Sequence, residues 1–171
     1  MDAVIRAMTR TLRHRGPDGE SHWLDTERGV ALGHTRLSII DLSPQGQQPM
    51  TCASERRVIV YNGEIYNFEQ LRATLELSGL APRWRGHSDT EVLLAAIDAW
   101  GVDAALKRTV GMFALALWDL ADGTLTLARD RLGEKPLYYG AIGGKVYFAS
   151  ELKAICAAVD HALPIDRVAL S

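Results

Sequence analysis

The chain predicts an α+β fold in which helices are layered on antiparallel sheet. Two pairs of apolar runs, "GMFALALWDL" with "TLTLARD" and "KPLYYG" with "KVYFAS", flank the turn sequences "ADG" and "AIGG", so residues 111–149 read as antiparallel hairpins. Helical stripes gather elsewhere, and the regular strand-helix-strand alternation of a parallel sheet is absent.

Each element has its own signal. Residues 2–13 read as a helix: Val4, Ile5, Met8 and Leu12 recur at helical spacing, Asp2 can cap the start, and Gly16-Pro17 stops it. A loop, "HRGPDGE", follows. "VALGHTRLSIIDL" is extended in character, and "SPQGQQPM" breaks it with two prolines and a glycine. After "VIVYNGEIYN" a second helix is expected, with Asn67 and Gln70 as cap, a stripe of Phe68, Leu71 and Leu75, and Gly79 at its end. Ser88 and Glu91 form a capping box that opens a third helix, "DTEVLLAAIDAW", closed by Gly101. Ser150 is placed to cap a helix through "ELKAICAAV", and residues 162–171, "ALPIDRVALS", read as the beginning of another.

Composition narrows the function classes. A length of 171 residues suits one domain with a sizeable core, and 47% hydrophobic with 23% charged residues is ordinary globular composition. The formal charge is -2 and the basic residues are dispersed, so no footprint for nucleic acid or an anionic membrane is present. The most apolar run, "MFALALW", is far too short to span a bilayer, and Asp2, Arg6 and Arg10 occupy the place of a signal peptide's apolar core. A cytoplasmic protein with small-molecule or protein partners is expected. Cys52 and Cys156 are far apart with no C-x-x-C pairing, and the five histidines are dispersed, so no metal is predicted.

Several polar residues carry two readings. Asn62-Gly63 between apolar runs is a strong signal for a type I′ hairpin turn. The second arm, "EIYN", is short, however, and Asn-Gly at a strand end can instead present a side-chain amide and an open backbone N–H to a ligand, as an oxyanion hole requires. Arg36 is either a surface strand residue or a fork for a substrate carboxylate. Asp89 lies in the first turn of a capped helix, where the macrodipole alone justifies a carboxylate. "RDRLGEKPLYY" reads equally as a solvated loop.

Together these stretches carry a resemblance. "HRGPDG" at 14–19, "RLSIIDL" at 36–42, "NGEIYN" at 62–67, "SDTE" at 88–91, "GMFALALWD" at 111–119, "RDRLGEKPLYYG" at 129–140 and "FASELKAI" at 148–155 stand in characteristic order and approximate spacing. The chain thereby resembles, over almost its whole length, the glutaminase (class II glutamine amidotransferase) domain of glutamine-hydrolysing asparagine synthetases. The resemblance implies an N-terminal-nucleophile fold, an αββα sandwich of two antiparallel sheets. It implies that Arg36 binds the α-carboxylate of glutamine, with the backbone around Leu37 and Ile39 lining the same pocket. Glu64 and Asp89 would hold the α-ammonium, and Asn62 with the Gly63 N–H would form the oxyanion hole.

The family's nucleophile is a cysteine at the mature N-terminus, on a strand of Cys-Gly-Ile type, with its own α-amine of pKa about 8 as base. Here the chain begins "MDAVIRAM", and Cys52 and Cys156 read as core or surface residues. Family members also continue into a synthetase domain with a Ser-Gly-Gly-x-Asp-Ser phosphate loop, whereas "IGGKVY" reads as a hairpin turn. The expectation is a partial glutaminase domain over 1–171, truncated at both ends and inactive by itself. It would have glutamine and a synthetase domain as partners and no cofactor of its own, ATP and Mg belonging to the synthetase domain. The alternative is a non-catalytic glutamine-binding module that acts through a protein partner.

Overall fold

A computed structural model describes residues 1–159. The helix predicted over 162–171 lies outside the described residues.

The centre is a four-stranded antiparallel sheet in the order β3 (Met50–Thr51), β4 (Arg57–Ile65), β5 (Gly111–Asp119) and β6 (Thr124–Arg129). Side chains alternate across its plane. Ile59, Tyr61, Ile65, Phe113, Leu115 and Leu117 face one way, into the largest core cluster. There they meet α2 (Phe68–Leu77), α3 (Asp89–Trp100) and α4 (Val102–Arg108), through residues such as Leu71, Leu75, Leu93, Ile97 and Ala105. Val58, Val60, Ala116 and Trp118 face the other way. Burial on both faces explains why "VIVY" and "FALALW" are continuous apolar runs rather than alternating ones.

Two further hairpins form the second β layer: β1 (Gly19–Asp25) with β2 (Val30–Arg36), and β7 (Tyr138–Ile142) with β8 (Lys145–Ala149). Trp23 and Leu32 of the first and Phe148 of the second pack on the Val58, Val60, Ala116 and Trp118 face. Their outer side carries α1 (Asp2–Arg10) and α5 (Leu152–Cys156), where Ile5, Met8, Ala154 and Ile155 meet Ala31, Tyr147 and Ala149. The layers are therefore αββα. The expected second sheet is nevertheless split into two separate hairpins, because no described strand lies between them to bond both.

Several expectations need correction. The two antiparallel hairpins of residues 111–149 are present but in different layers: β5–β6 belongs to the central sheet and β7–β8 to the second. The extended run at 30–42 ends as a strand at Arg36, opposite Gly19, where its antiparallel partner β1 begins. Beyond it Asp18 takes over, with its N–H donating to the Arg36 carbonyl (2.9 Å) and its carboxylate accepting from Ser38 N–H (2.8 Å). Asn67 does not cap α2 through its side chain, which instead bridges the Arg108 carbonyl and the Val110 N–H. Glu151, not Ser150, precedes α5, and its carboxylate pairs with His14, Arg15 and Lys153. Asp2 lies inside α1 and pairs with Arg6, and the helix stops at Arg10 before a 3-10 turn over Arg13–Arg15. Of the capping box, Ser88 accepts from Glu91 N–H (3.2 Å), while the Glu91 carboxylate turns back to Arg85 N–H and Gly86 N–H. Strand β1 and helix α4 had no clear signal, being a polar-rich strand and a helix of 7 residues.

"RDRLGEKP" is an organised connection. Asp130 accepts from the N–H groups of Leu132, Glu134, Lys135 and Phe113, tying the loop to β5. Burial opposes its ionisation, but these four donors outweigh that and hold its pKa near 2, against an ordinary 3.8. A carboxyl group with a lowered folded-state pKa contributes stability that is complete above the unfolded pKa and is lost as pH falls through the folded one. The stability difference between wild type and Asp130→Asn should therefore shrink as pH falls from about 4 towards 2. Chemical denaturation at stepped pH measures it, and a constant difference would show that the charge of Asp130 is not what holds the loop.

Candidate functional site

Asn62-Gly63 is not a turn. The pair sits inside β4, opposite Ala114 and Phe113 of β5. Strand β3 flanks β4 only at Val58 and Ile59, so beyond them this edge of β4 has no strand partner among the described residues. Its N–H groups meet side chains instead: Tyr61 N–H donates to Gln48 Oε1 (2.6 Å) and Ile65 N–H to Asp89 Oδ2 (2.9 Å). Alternate residues of a strand direct N–H to the same edge, so the Gly63 N–H, midway between these two, also points away from β5. Glycine is required at this position. A Cβ there would lie 2.3 Å from the Met112 carbonyl oxygen and 2.7 Å from Phe113 Cα.

Asn62 lies on the opposite face from Tyr61 and Ile65, towards the hairpin layer. Its amide nitrogen Nδ2 is buried with no hydrogen-bond partner among the described residues. An unpaired buried donor costs about 1–3 kcal/mol, so it marks a place where a ligand acceptor would be strongly favoured. It borders a cavity of about 730 Å³ between the central sheet, the two hairpins and α1, whose walls include Met8, Gly33, Val60, Ala114 and Phe148.

A second buried and unpartnered nitrogen, His34 Nδ1, lines the same cavity. Burial is the main force pushing this imidazole's pKa down to about 4; a hydrogen bond to the Tyr61 backbone opposes it and the Arg36 charge adds to it. The ring is thus neutral at pH 7. Sequence reasoning did not single out His34, although its place two residues before Arg36 puts both side chains on one strand face.

The other predicted residues fall into distinct environments. Arg36 ends β2, and its Nη2 donates to the Asp41 carbonyl, its one hydrogen bond from the side chain among the described residues. Leu37 and Ile39 expose their side chains (56% and 70%), so only their backbone is available to a pocket. Glu64 shares the face of Asn62, and its carboxylate accepts no hydrogen bond among the described residues. Asp89 is only 5% exposed and accepts from Tyr61 Oη (3.0 Å), Ile65 N–H (2.9 Å) and Thr90 N–H (2.8 Å). Burial raises its pKa; the three donors oppose this and the charge of Glu64 adds to it. Three of a carboxylate's roughly four acceptor directions are thereby used.

Neither cysteine borders this cavity. Cys52 is buried in the core on the helix side of the central sheet, where its Sγ accepts from Arg57 N–H, and Cys156 is exposed on α5. Among the described residues no group of three or more His, Cys, Asp or Glu is placed to hold a metal, and no helix is long and apolar enough to cross a membrane.

An αββα sandwich with an Asn-Gly strand edge beside a cavity between its β layers defines a class II glutamine amidotransferase fold of the N-terminal-nucleophile type. The chain belongs to the glutamine amidotransferase domain family, whose sequence model matches residues 1–171. It is 43% identical to asparagine synthetase [glutamine-hydrolyzing] 3 of Bacillus subtilis, over 96% of this chain and 26% of that protein. It is also 43% identical to asparagine synthetase [glutamine-hydrolyzing] 1 of the same organism, over 99% of this chain and 26% of that one. The chain thus spans about a quarter of the length of these relatives. Among solved structures, the glutamine phosphoribosylpyrophosphate amidotransferase from B. subtilis, complexed with ADP and GMP, superposes with a TM-score of 0.62 at 27% identity, over 75% of this chain and 29% of that one.

Gly63→Ala should separate β4 from β5 and destabilise the fold by about 1–3 kcal/mol, the usual cost of overpacking. Denaturant titration reads this directly, and an unchanged midpoint would contradict the close approach.

Proposed function

We propose that this chain is the glutamine-binding body of an asparagine synthetase-type glutaminase, in which ammonia released from glutamine passes to a synthetase domain that amidates aspartate. The buried, unpartnered Asn62 amide beside the outward Gly63 N–H carries this reading. On this reading the two donors would hold an oxyanion, while Glu64 and Arg36 would take the α-ammonium and α-carboxylate. Asp89, already holding three donors, orients the end of β4 and adds negative charge next to Glu64.

The chemistry needs a thiolate that attacks the side-chain carbonyl of glutamine. The oxyanion that forms would be held by Asn62 Nδ2 and the Gly63 N–H, in a site where such donors cost no reorganisation. Ammonia leaves, and water then cleaves the thioester to glutamate. The two cysteines of these residues, Cys52 and Cys156, do not supply that thiol, so residues 1–171 alone should not turn over glutamine. A strand beginning with cysteine would fit the gap between the two hairpins and bring the thiol to Asn62. The chain itself would work without a cofactor, ATP and Mg serving the synthetase domain, and the setting would be cytoplasmic.

The absence of a thiol at the cavity also favours a second reading, a non-catalytic module that binds glutamine and acts through a protein partner. Both readings expect glutamine to raise the melting temperature of the chain with no glutamate released; no shift at millimolar glutamine would remove both. Fusing a cysteine-first strand to the N-terminus separates them, since only the glutaminase reading expects glutamate to appear. In that active form Asn62→Ala should lower kcat by about 100- to 1,000-fold.

A further inference from the structure

The segment after β2 leaves the sheet with four aliphatic side chains in solvent, Leu37, Ile39, Ile40 and Leu42, yet Asp41 among them is buried. A lone buried carboxylate in an exposed segment requires partners. Its Oδ1 accepts from Ser43 N–H (2.8 Å) and its Oδ2 from His87 N–H (2.9 Å), 46 residues further along the chain. Its own carbonyl accepts from Arg36 Nη2. One residue therefore holds both the guanidinium at the end of β2 and the turn that leads through Ser88 into Asp89.

Two glycines make room for this contact. A Cβ at Gly86 would lie 2.5 Å from Asp41 Oδ2, and one at Gly46 would lie 2.6 Å from Arg36 Nη2. Gly46 closes a 3-10 turn over Pro44–Gly46, begun by Ser43, whose Oγ accepts from Gln45 N–H (3.2 Å). Both neighbours of the carboxylate are thus shaped around it. Burial disfavours its ionised form, but the donors from Ser43 and His87 and the charge of Arg36 outweigh that and hold its pKa below the ordinary 3.8. The group is a carboxylate across the physiological range.

We propose that Asp41 is a positioning residue that clamps the Arg36 loop to the 86–88 turn, and so fixes Arg36 relative to Asp89, which in turn orients the end of β4 that carries Glu64. This rests on the glutamine reading above. Asp41 itself touches no substrate. Its contribution is to keep Arg36 from swinging out with the exposed loop and to seat the start of α3, where Asp89 meets Tyr61 and Ile65.

The test is calorimetric titration of the chain with L-glutamine and with L-glutamine amide, in which the α-carboxylate is replaced by a neutral amide. Wild type should prefer glutamine, because only glutamine forms an ion pair with Arg36. Asp41→Asn replaces one acceptor by an NH2 donor that must confront the N–H of Ser43 or His87. Glutamine affinity should fall about tenfold or more, as for loss of a charged hydrogen bond, and the preference over the amide should collapse towards one. Gly86→Ala, which displaces the Asp41 carboxylate while leaving every charge present, should act in the same direction. A merely structural defect would weaken both ligands alike and keep the preference, and that result in both variants would overturn the proposal. If wild type binds neither ligand, the glutamine reading itself fails and the positioning role falls with it.

Discussion

The structure depends on β4 being paired unequally on its two edges. It bonds β5 along all nine of its residues but β3 along only two, which leaves a row of N–H groups beyond Val58 and Ile59 needing other partners. Buried N–H groups are almost always satisfied, so the surrounding loops must bring acceptors to them. Gln48 does so at Tyr61, and Asp89 does so at Ile65. The Gly63 N–H lies between them on the same edge. The loop after β2 and the start of α3 are placed by the backbone needs of a single strand.

Polar groups inside the sandwich follow a similar division. Those that shape the fold are hydrogen-bonded: Asp130 has four backbone donors, Asp89 three donors and Asp41 two. Asn62 Nδ2 and His34 Nδ1 are not, and both border the cavity between the β layers. Buried amides and imidazoles without partners carry a free-energy cost that a folded domain tolerates only where something else compensates it.

The same view separates the two carboxylates that sequence motifs grouped together. Glu64 stands on the cavity face of β4 without a hydrogen bond among the described residues, whereas Asp89 approaches the strand from the helix side and is largely consumed there. Their proximity is felt as charge, since each disfavours a further negative charge near Tyr61, whose hydroxyl pKa is pushed up chiefly by burial. The site is thus assembled from both faces of a single sheet.

Much of this was legible in the chain. The stripe of α2, the Ser88 cap and the β5–β6 and β7–β8 hairpins follow from local periodicity and turn chemistry, which act over a few residues. The Asn62-Gly63 dipeptide shows the limit of that reasoning. Its local signal is a hairpin turn, and only the pairing of β4 with β5, about fifty residues apart, places it mid-strand. Strand β1 was hidden because its partner, not its own polar sequence, makes it extended. The residues themselves determined the α+β class and, through the order of their motifs, the family and the αββα layering that it implies, since these rest on pattern and order. Tertiary structure alone decided which polar groups were hydrogen-bonded and which were left open, because hydrogen-bond partners such as Asp41 with His87, or Asp89 with Ile65, are set by long-range packing and leave no periodic trace in the chain.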